Sequence, residues 1–315
     1  MRISNLSDDL LIKILSFLPT KVAVSTSILS KQWRFLWMWL PTLEYNDNEI
    51  SVIAPLSASW LRYEEFINKN LPLHRAPIIE TFLISFVRNR ITHPEKLKLW
   101  VEIAVSRSVR ELSVGYFSHS EEFFLSLPIS LYACDSLMAL KLQGKNVLVD
   151  VVPLTVSLPM PKLEEAEFRV SQVNEKVLES VTFVKRLSLS SLESVYPSVG
   201  IVMSQLEHLE LRVYKNDWSK LLIWLLRNSP KLRVLNLYVG FYRRDDEEYE
   251  PVDLKNEEES SVPECLLRSL ETFEFSSHMG TQEERCFLSF FFTHASCLKS
   301  ASVIHRAPRH GLQSI

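Results

Sequence analysis

One short pattern, apolar-x-x-apolar-x-apolar, recurs nine times along this chain of 315 residues and leaves few folds open to it. The copies are Ile79-Phe82-Ile84, Val109-Leu112-Val114, Leu137-Leu140-Leu142, Leu163-Ala166-Phe168, Val184-Leu187-Leu189, Leu206-Leu209-Leu211, Leu232-Leu235-Leu237, Leu270-Phe273-Phe275 and Leu298-Ala301-Val303. Their middle positions are 30, 28, 26, 21, 22, 26, 38 and 28 residues apart. Apolar residues two apart place their side chains on one face of a short strand. Recurrence at such intervals marks an array, because no single unit can bury its apolar face without the next.

Composition removes several classes of function. Apolar residues make up 46 % of the chain and charged residues 23 %, enough to build a core and too apolar for wholesale disorder. The six glycines, at 115, 144, 200, 240, 280 and 311, lie at least 29 positions apart. That spacing rules out the two-glycine loops that cradle phosphates or hold a nucleophile at a strand end. Lys plus Arg number 35 against 38 Asp plus Glu, a net charge of −3, so nothing draws the chain toward nucleic acid or an anionic membrane. No purely apolar run exceeds the six residues of Leu221 to Leu226, far below the roughly 20 residues of a spanning helix. Asp8 and Asp9 stand where a secretion signal would be apolar. These features predict a soluble cytoplasmic or nuclear protein. Cys134, Cys265, Cys286 and Cys297 form no CxxC pair and are expected as reduced thiols.

The first forty-five residues differ from the rest. Leu10, Leu11, Ile14, Leu15 and Leu18 recur at helical spacing, Ser7 suits an N-cap, Asp8 and Asp9 suit the positive end of the helix dipole, and Pro19 ends the run. The spacing predicts a helix over 7–18. A second helix is expected after Thr20, carrying Val22, Ala23 and Val24, and a third after Ser30, carrying Trp33, Leu36, Trp37 and Leu40 before Pro41. Three short helices cannot cover that many large apolar side chains, so part of the surface is expected to meet another protein.

The run LSDDLLIKILSFLPTKVAVSTSILSKQWRFLW resembles the F-box, in the version common in plant proteins with leucine-rich repeats. The resemblance implies docking on a Skp-type adaptor, and through it on a cullin–RING ubiquitin ligase. It places adaptor contacts on Leu6, Leu10, Leu11, Ile14, Leu15, Leu18 and Pro19, with Val22, Leu29, Trp33, Leu36 and Trp37 completing the surface or supporting it. Ser7 departs from the pattern, standing where many F-boxes have proline.

The nine-fold pattern in turn resembles an irregular leucine-rich repeat. That implies an α/β fold: an N-terminal three-helix F-box followed by a solenoid, with a curved parallel sheet on the concave side and helices and loops on the convex side. Asp217 to Pro230 is the clearest return helix, with Leu221, Leu222, Trp224 and Leu225 at helical spacing. The usual asparagine three residues past the strand motif is missing, its places taken by Lys145, Ser171, Leu192, Tyr214 and Gly240. Recognition is expected from residues alternating with the buried ones: Arg110, Lys141, Arg169, Arg186, His208, Arg212 and Arg233 are the candidate target-binding positions, interleaved with Glu164, Glu167 and Glu210.

The 38-residue step carries nine acidic residues between Asp245 and Glu259 and is expected as a mobile loop over 243–262. Beyond it, VPECLLRSLETFEF and HASCLKSASVIHR resemble the FBD segment found at the end of many plant F-box repeat proteins, with Phe287, Phe290, Phe291 and Phe292 on a covering helix. The expected division is F-box 1–45, connector 46–75, repeats 76–262 and FBD-like terminal repeats 263–315. His278, Cys286, His294 and Cys297 fit no zinc spacing, no Cys–His pair comes with an oxyanion loop, and neither metal, cofactor nor catalytic site is expected. The reading is a non-catalytic target-recognition subunit of a Skp–cullin–F-box ubiquitin ligase, binding an adaptor at one end and an unidentified target protein through the repeats. The alternative is a repeat scaffold with no ligase role, its helices serving as a cap.

Overall fold

All nine copies of the motif become strands, and where strands pair within one compact unit the middle residues of neighbouring copies lie opposite one another. In the computed structural model, which describes residues 6–46, 56–86, 94–117, 125–144, 147–148, 160–170, 175–191, 200–214, 218–240 and 262–305, the chain divides into two units, 1–164 and 165–315. The first contains α1 (Asp8–Leu15), α2 (Thr20–Ser25), β1 (Thr42–Asn46), α3 (Leu56–Asn70), β2 (Thr81–Phe86), α4 (Pro94–Ser106), β3 (Glu111–Tyr116), β4 (Leu125–Ser126), β5 (Ala139–Gly144) and β6 (Val147–Leu148). The second contains β7 (Glu165–Val170), α5 (Glu175–Ser180), β8 (Arg186–Ser191), β9 (His208–Val213), α6 (Trp218–Arg227), β10 (Val234–Val239), α7 (Glu264–Arg268), β11 (Thr272–His278), α8 (Gln282–His294) and β12 (Ser300–His305).

In the first unit β1, β2, β3 and β5 pair in that order, all parallel, with Leu43, Phe82, Leu112 and Leu140 in register. The short β4 and β6 form a separate parallel pair. In the second unit β7 to β12 follow chain order, all parallel, and align Ala166, Leu187, Leu209, Leu235, Phe273 and Ala301. Parallel neighbours need a crossover, which the intervening helices and irregular segments supply. From β2 to β11 every residue of the motif is 3 % exposed or less. At about 1.5–3 kcal/mol for each large side chain taken from water, these rows are the main favourable term in both units.

Aromatic side chains fill the space between strands and crossovers. In the first unit the Tyr63 ring stacks on Phe66 at 5.9 Å, and Phe86 meets Trp100 edge-on at 6.1 Å. The Trp100 indole donates to Asn68 Oδ1 at 2.8 Å, which ties α4 to α3. In the second unit Trp218 of α6 packs edge-on against Phe287 of α8 at 5.4 Å, and Phe291 lies 4.1 Å from Phe273 of β11. Helix α8 is therefore a covering helix with Phe287 and Phe291 buried, while Phe290 is half-buried and Phe292 exposed.

Three local expectations change. The first helix ends at Leu15 rather than residue 18, with Ser16 continuing the helical backbone conformation for one residue. The third N-terminal helix is a 3-10 helix, Trp33–Trp39, preceded by a 3-10 turn at Thr26–Ile28. A tenth copy of the strand motif, Leu40-Leu43-Tyr45, forms β1, so a strand begins at Thr42, inside the stretch expected as the end of the F-box and ahead of the connector expected at 46–75. Almost the whole acidic segment 243–262, and the position of Asp217, lie outside the described residues.

Candidate docking surface

The N-terminal segment sorts its apolar side chains into two sets. Leu11 and Leu15 of α1, Ala23 of α2, and Trp33, Leu36, Trp37 and Met38 of the 3-10 helix are buried together with Leu40. On α1 and just past its end the neighbouring side chains face the other way: Leu10, Ile14 and Leu18 are 50, 39 and 38 % exposed. Val22 and Leu29 are also exposed, Leu6 and Pro19 are partly buried, and four side chains that the sequence reading passed over, Phe17, Ile28, Phe35 and Trp39, join the exposed set. Phe17 at 78 % and Ile28 at 87 % are almost bare.

Polar bonds hold this arrangement. Leu11 N donates to Ser7 O at 3.0 Å, so Ser7 opens α1 through its backbone, and its side chain makes no cap bond. The Gln32 amide donates to Leu6 O and Asp8 Oδ1, both at 3.1 Å, clasping the start of α1 to the approach of the 3-10 helix. Glu44 N donates to the buried Thr20 hydroxyl at 2.7 Å and joins α2 to β1. Arg75 N and Ala76 N both donate to Met38 O, and the buried His74 donates through Nε2 to Leu40 O at 2.8 Å. The exposed row thus sits on a fixed frame. A contiguous chain segment that leaves nine large apolar residues in water, although its own core is closed, is suited to bury them against a partner.

The sequence-predicted contact set divides accordingly. Leu10, Ile14, Leu18, Val22 and Leu29 are on the surface. Leu11 and Leu15, expected as contacts, are fully buried, and Trp33, Leu36 and Trp37 support the surface from beneath. The signal that separates Leu10 from Leu11 is which stripe faces the 3-10 helix, and helical spacing alone does not carry it.

The candidate target-binding residues lie on several strands or, for Arg110 and Arg233, immediately before one. Arg110 and Lys141 belong to the first unit, the other five to the second. The arginines meet carboxylates: Arg110 with Glu80 at 2.9 Å, Arg169 with Glu167 at 2.5 Å, Arg186 with Glu165 at 3.0 Å, Arg212 with Glu210 at 2.6 Å and Arg233 with Glu271 at 2.8 Å. The outward strand faces therefore carry mixed charge. Arg212 also lies 5.9 Å from the Tyr238 ring centre, and Tyr238 neighbours Tyr214 at 5.9 Å. The Tyr214 ring explains Gly240, whose missing Cβ would stand 2.7 Å from it.

Burial pushes the Cys265 thiol up to about 12, and its Sγ points at Leu226 O. Cys286 accepts from Gln282, Cys297 points at Leu267 O, His294 at Phe290 O, and His278 Nδ1 lies 3.2 Å from His305 Nδ1. Among the described residues no three His, Cys, Asp or Glu side chains gather as metal ligands, and no helix is long and apolar enough to cross a membrane.

Comparison with known proteins finds one family match near each end of the chain. The F-box domain family matches residues 3–45, which contain the whole exposed apolar set, and the FBD family matches residues 257–303. The chain is therefore an F-box protein. An FBD-associated F-box protein of Arabidopsis thaliana is 43 % identical, with 99 % of this chain and 100 % of the relative aligned. A second from the same plant is 38 % identical over 96 % of this chain and 100 % of the relative, and an F-box/FBD/LRR-repeat protein is 33 % identical over 96 and 92 %. The chain belongs to the FBD-associated F-box family.

Proposed function

We propose that this protein is a target-recognition subunit of a Skp–cullin–F-box ubiquitin ligase, holding a Skp-type adaptor on its N-terminal helices and a target protein on its strand-bearing region. The observation that carries this reading is the exposed row Leu10, Ile14, Leu18, Val22 and Leu29 above a closed layer of Leu11, Leu15, Trp33, Leu36 and Trp37, inside the F-box match. Four or five such side chains buried at an interface supply about 1.5–3 kcal/mol each before ordering costs, enough for a stable complex. The chain's contribution is proximity: a target held beside the charged conjugating enzyme is modified as though at high effective concentration. We also assign the ten strand motifs to irregular leucine-rich repeats, with outward strand residues as the target surface. Their paired arginines and glutamates favour a partner of mixed charge over a polyanion.

Retention of purified Skp-type adaptor on the immobilised full chain tests the assignment. Leu10→Asp together with Ile14→Asp abolishes retention and leaves the melting temperature within a degree or so, since both side chains already face water. Leu11→Ala instead costs about 2–5 kcal/mol of stability through the cavity it leaves. A wild-type chain that fails to retain the adaptor, or a double variant that still does, overturns the reading.

A further inference from the structure

From β8 to β12 the residue immediately before each strand alternates in sign: Lys185 before β8, Glu207 before β9, Arg233 before β10, Glu271 before β11 and Lys299 before β12. A backbone bond links each to the next, from Glu207 N to Lys185 O at 2.9 Å, then Arg233 N to Glu207 O, Glu271 N to Arg233 O and Lys299 N to Glu271 O, all at 2.8 Å. The side chains follow, with Arg233 2.8 Å and Lys299 3.0 Å from the two Glu271 oxygens. A strand placed beyond β12 would continue the alternation with a carboxylate.

Strand β12 is prepared for such a neighbour. The inward residues of β8 to β11 are buried, whereas on β12 Ala301 is exposed and Val303 only half-buried. Apolar surface continues beside them: Phe292 of α8, 6.2 Å from the Phe273 ring centre, is 48 % exposed, and Leu267 of α7 is exposed as well. Ser300 N is spent on Glu271 O, so the parallel ladder turns the N–H groups of Ala301 and Val303 away from β11. The strand SASVIH holds neither the lysine nor the proline that guards many edges, and the bulge at Ser276–His278 falls beyond the Phe275–Val303 pair.

We propose that β12 accepts, by parallel strand addition, an extended segment of a partner protein with the order acidic-x-apolar-x-apolar, its carboxylate beside Lys299 and its apolar pair continuing the row of Ala301 and Val303. The sheet holds two examples of this fit, Glu207-His208-Leu209-Glu210-Leu211 between strands preceded by Lys185 and Arg233, and Glu271-Thr272-Phe273-Glu274-Phe275 between strands preceded by Arg233 and Lys299. Main-chain bonds supply affinity, and the charge and the apolar pair set register and specificity. This goes beyond adaptor docking, and its test contains no adaptor, so each can fail alone.

The probe is a fluorescent synthetic peptide copying Glu207–Val213, read by anisotropy with the full chain. The peptide binds, its Glu207→Lys version binds at least about tenfold more weakly, and Lys299→Glu in the protein reverses that order. Ala301→Pro, which removes one outward N–H, abolishes binding while circular dichroism stays native; if that variant unfolds, the Lys299→Glu swap decides. Equal binding of the two peptides, no binding, or an order indifferent to Lys299→Glu overturns the proposal. Binding seen only after removal of residues 306–315 assigns the edge to the chain's own segment, and self-association abolished by Ala301→Pro assigns it to a second copy; either result also overturns it.

Discussion

Leu10 and Leu11 are adjacent, chemically identical and opposite in role, one half in water and the other wholly enclosed. The difference comes from the 100° that separates successive helical residues and from the presence of Trp33 and Leu36 on one side only. His74 shows a second effect of enclosure. Burial pushes its imidazole below the ordinary value, the bond to Leu40 O pulls upward, and the Arg107 charge pushes down again. A histidine lowered in the folded state contributes stability that is present above its unfolded value of about 6.5 and is lost as pH falls through the folded one. The melting temperature is therefore expected to drop between about pH 7.5 and about pH 5.5. His74→Gln, which keeps an N–H for Leu40 O, reduces that drop, as parallel thermal melts at the two pH values will read.

At the scale of single elements, sequence logic works best where one rule governs. Alternation alone places the nine strands, because each must bury the same two positions against the neighbouring copy. It passes over β1, whose Leu40-Leu43-Tyr45 follows directly on the helical F-box pattern and contains Pro41, a residue that reads as a stop. The third N-terminal helix closes its turns tighter than spacing implies, which turns Phe35 and Trp39 outward and brings Met38 in. Helix α8 begins with reciprocal bonds: Glu284 N donates to Thr281 Oγ1 at 3.2 Å, and Thr281 N to Glu284 Oε2 at 2.8 Å. The carboxylate also accepts from Met279 N and is fully buried. Thr281→Ala is expected to cost about 1 kcal/mol, measured as a shift in the denaturant midpoint.

For the molecule as a whole, the F-box is legible as a motif, yet its mechanical attachment is not. The Thr20 hydroxyl holds Glu44 N, Met38 O receives two N–H groups from Arg75 and Ala76, and Pro41 O receives those of Glu80 and Thr81. All of these join residues distant in sequence, which no local pattern encodes. Cutting the chain after residue 45 removes nearly all of β1 and uncovers the β2 edge with Phe82 and Ile84. Deletion of residues 1–45 is therefore expected to give a less stable product that aggregates on size-exclusion chromatography. A monomeric remainder with an unchanged melting temperature would show that the attachment matters little.

The strict division of each strand into inner and outer positions has a consequence for how such proteins diversify. Inner positions hold leucine, valine, isoleucine, phenylalanine, tyrosine and alanine, and from β1 to β11 they are shut from water. Their outer neighbours include Thr81, Lys141, Arg169, Ser188 and Asn236, which contribute little to that shut interior. Mutation can rewrite the visible lettering of the sheet while the framework beneath stands unaltered, so new specificities are open to lineages of this architecture without inventing a new fold.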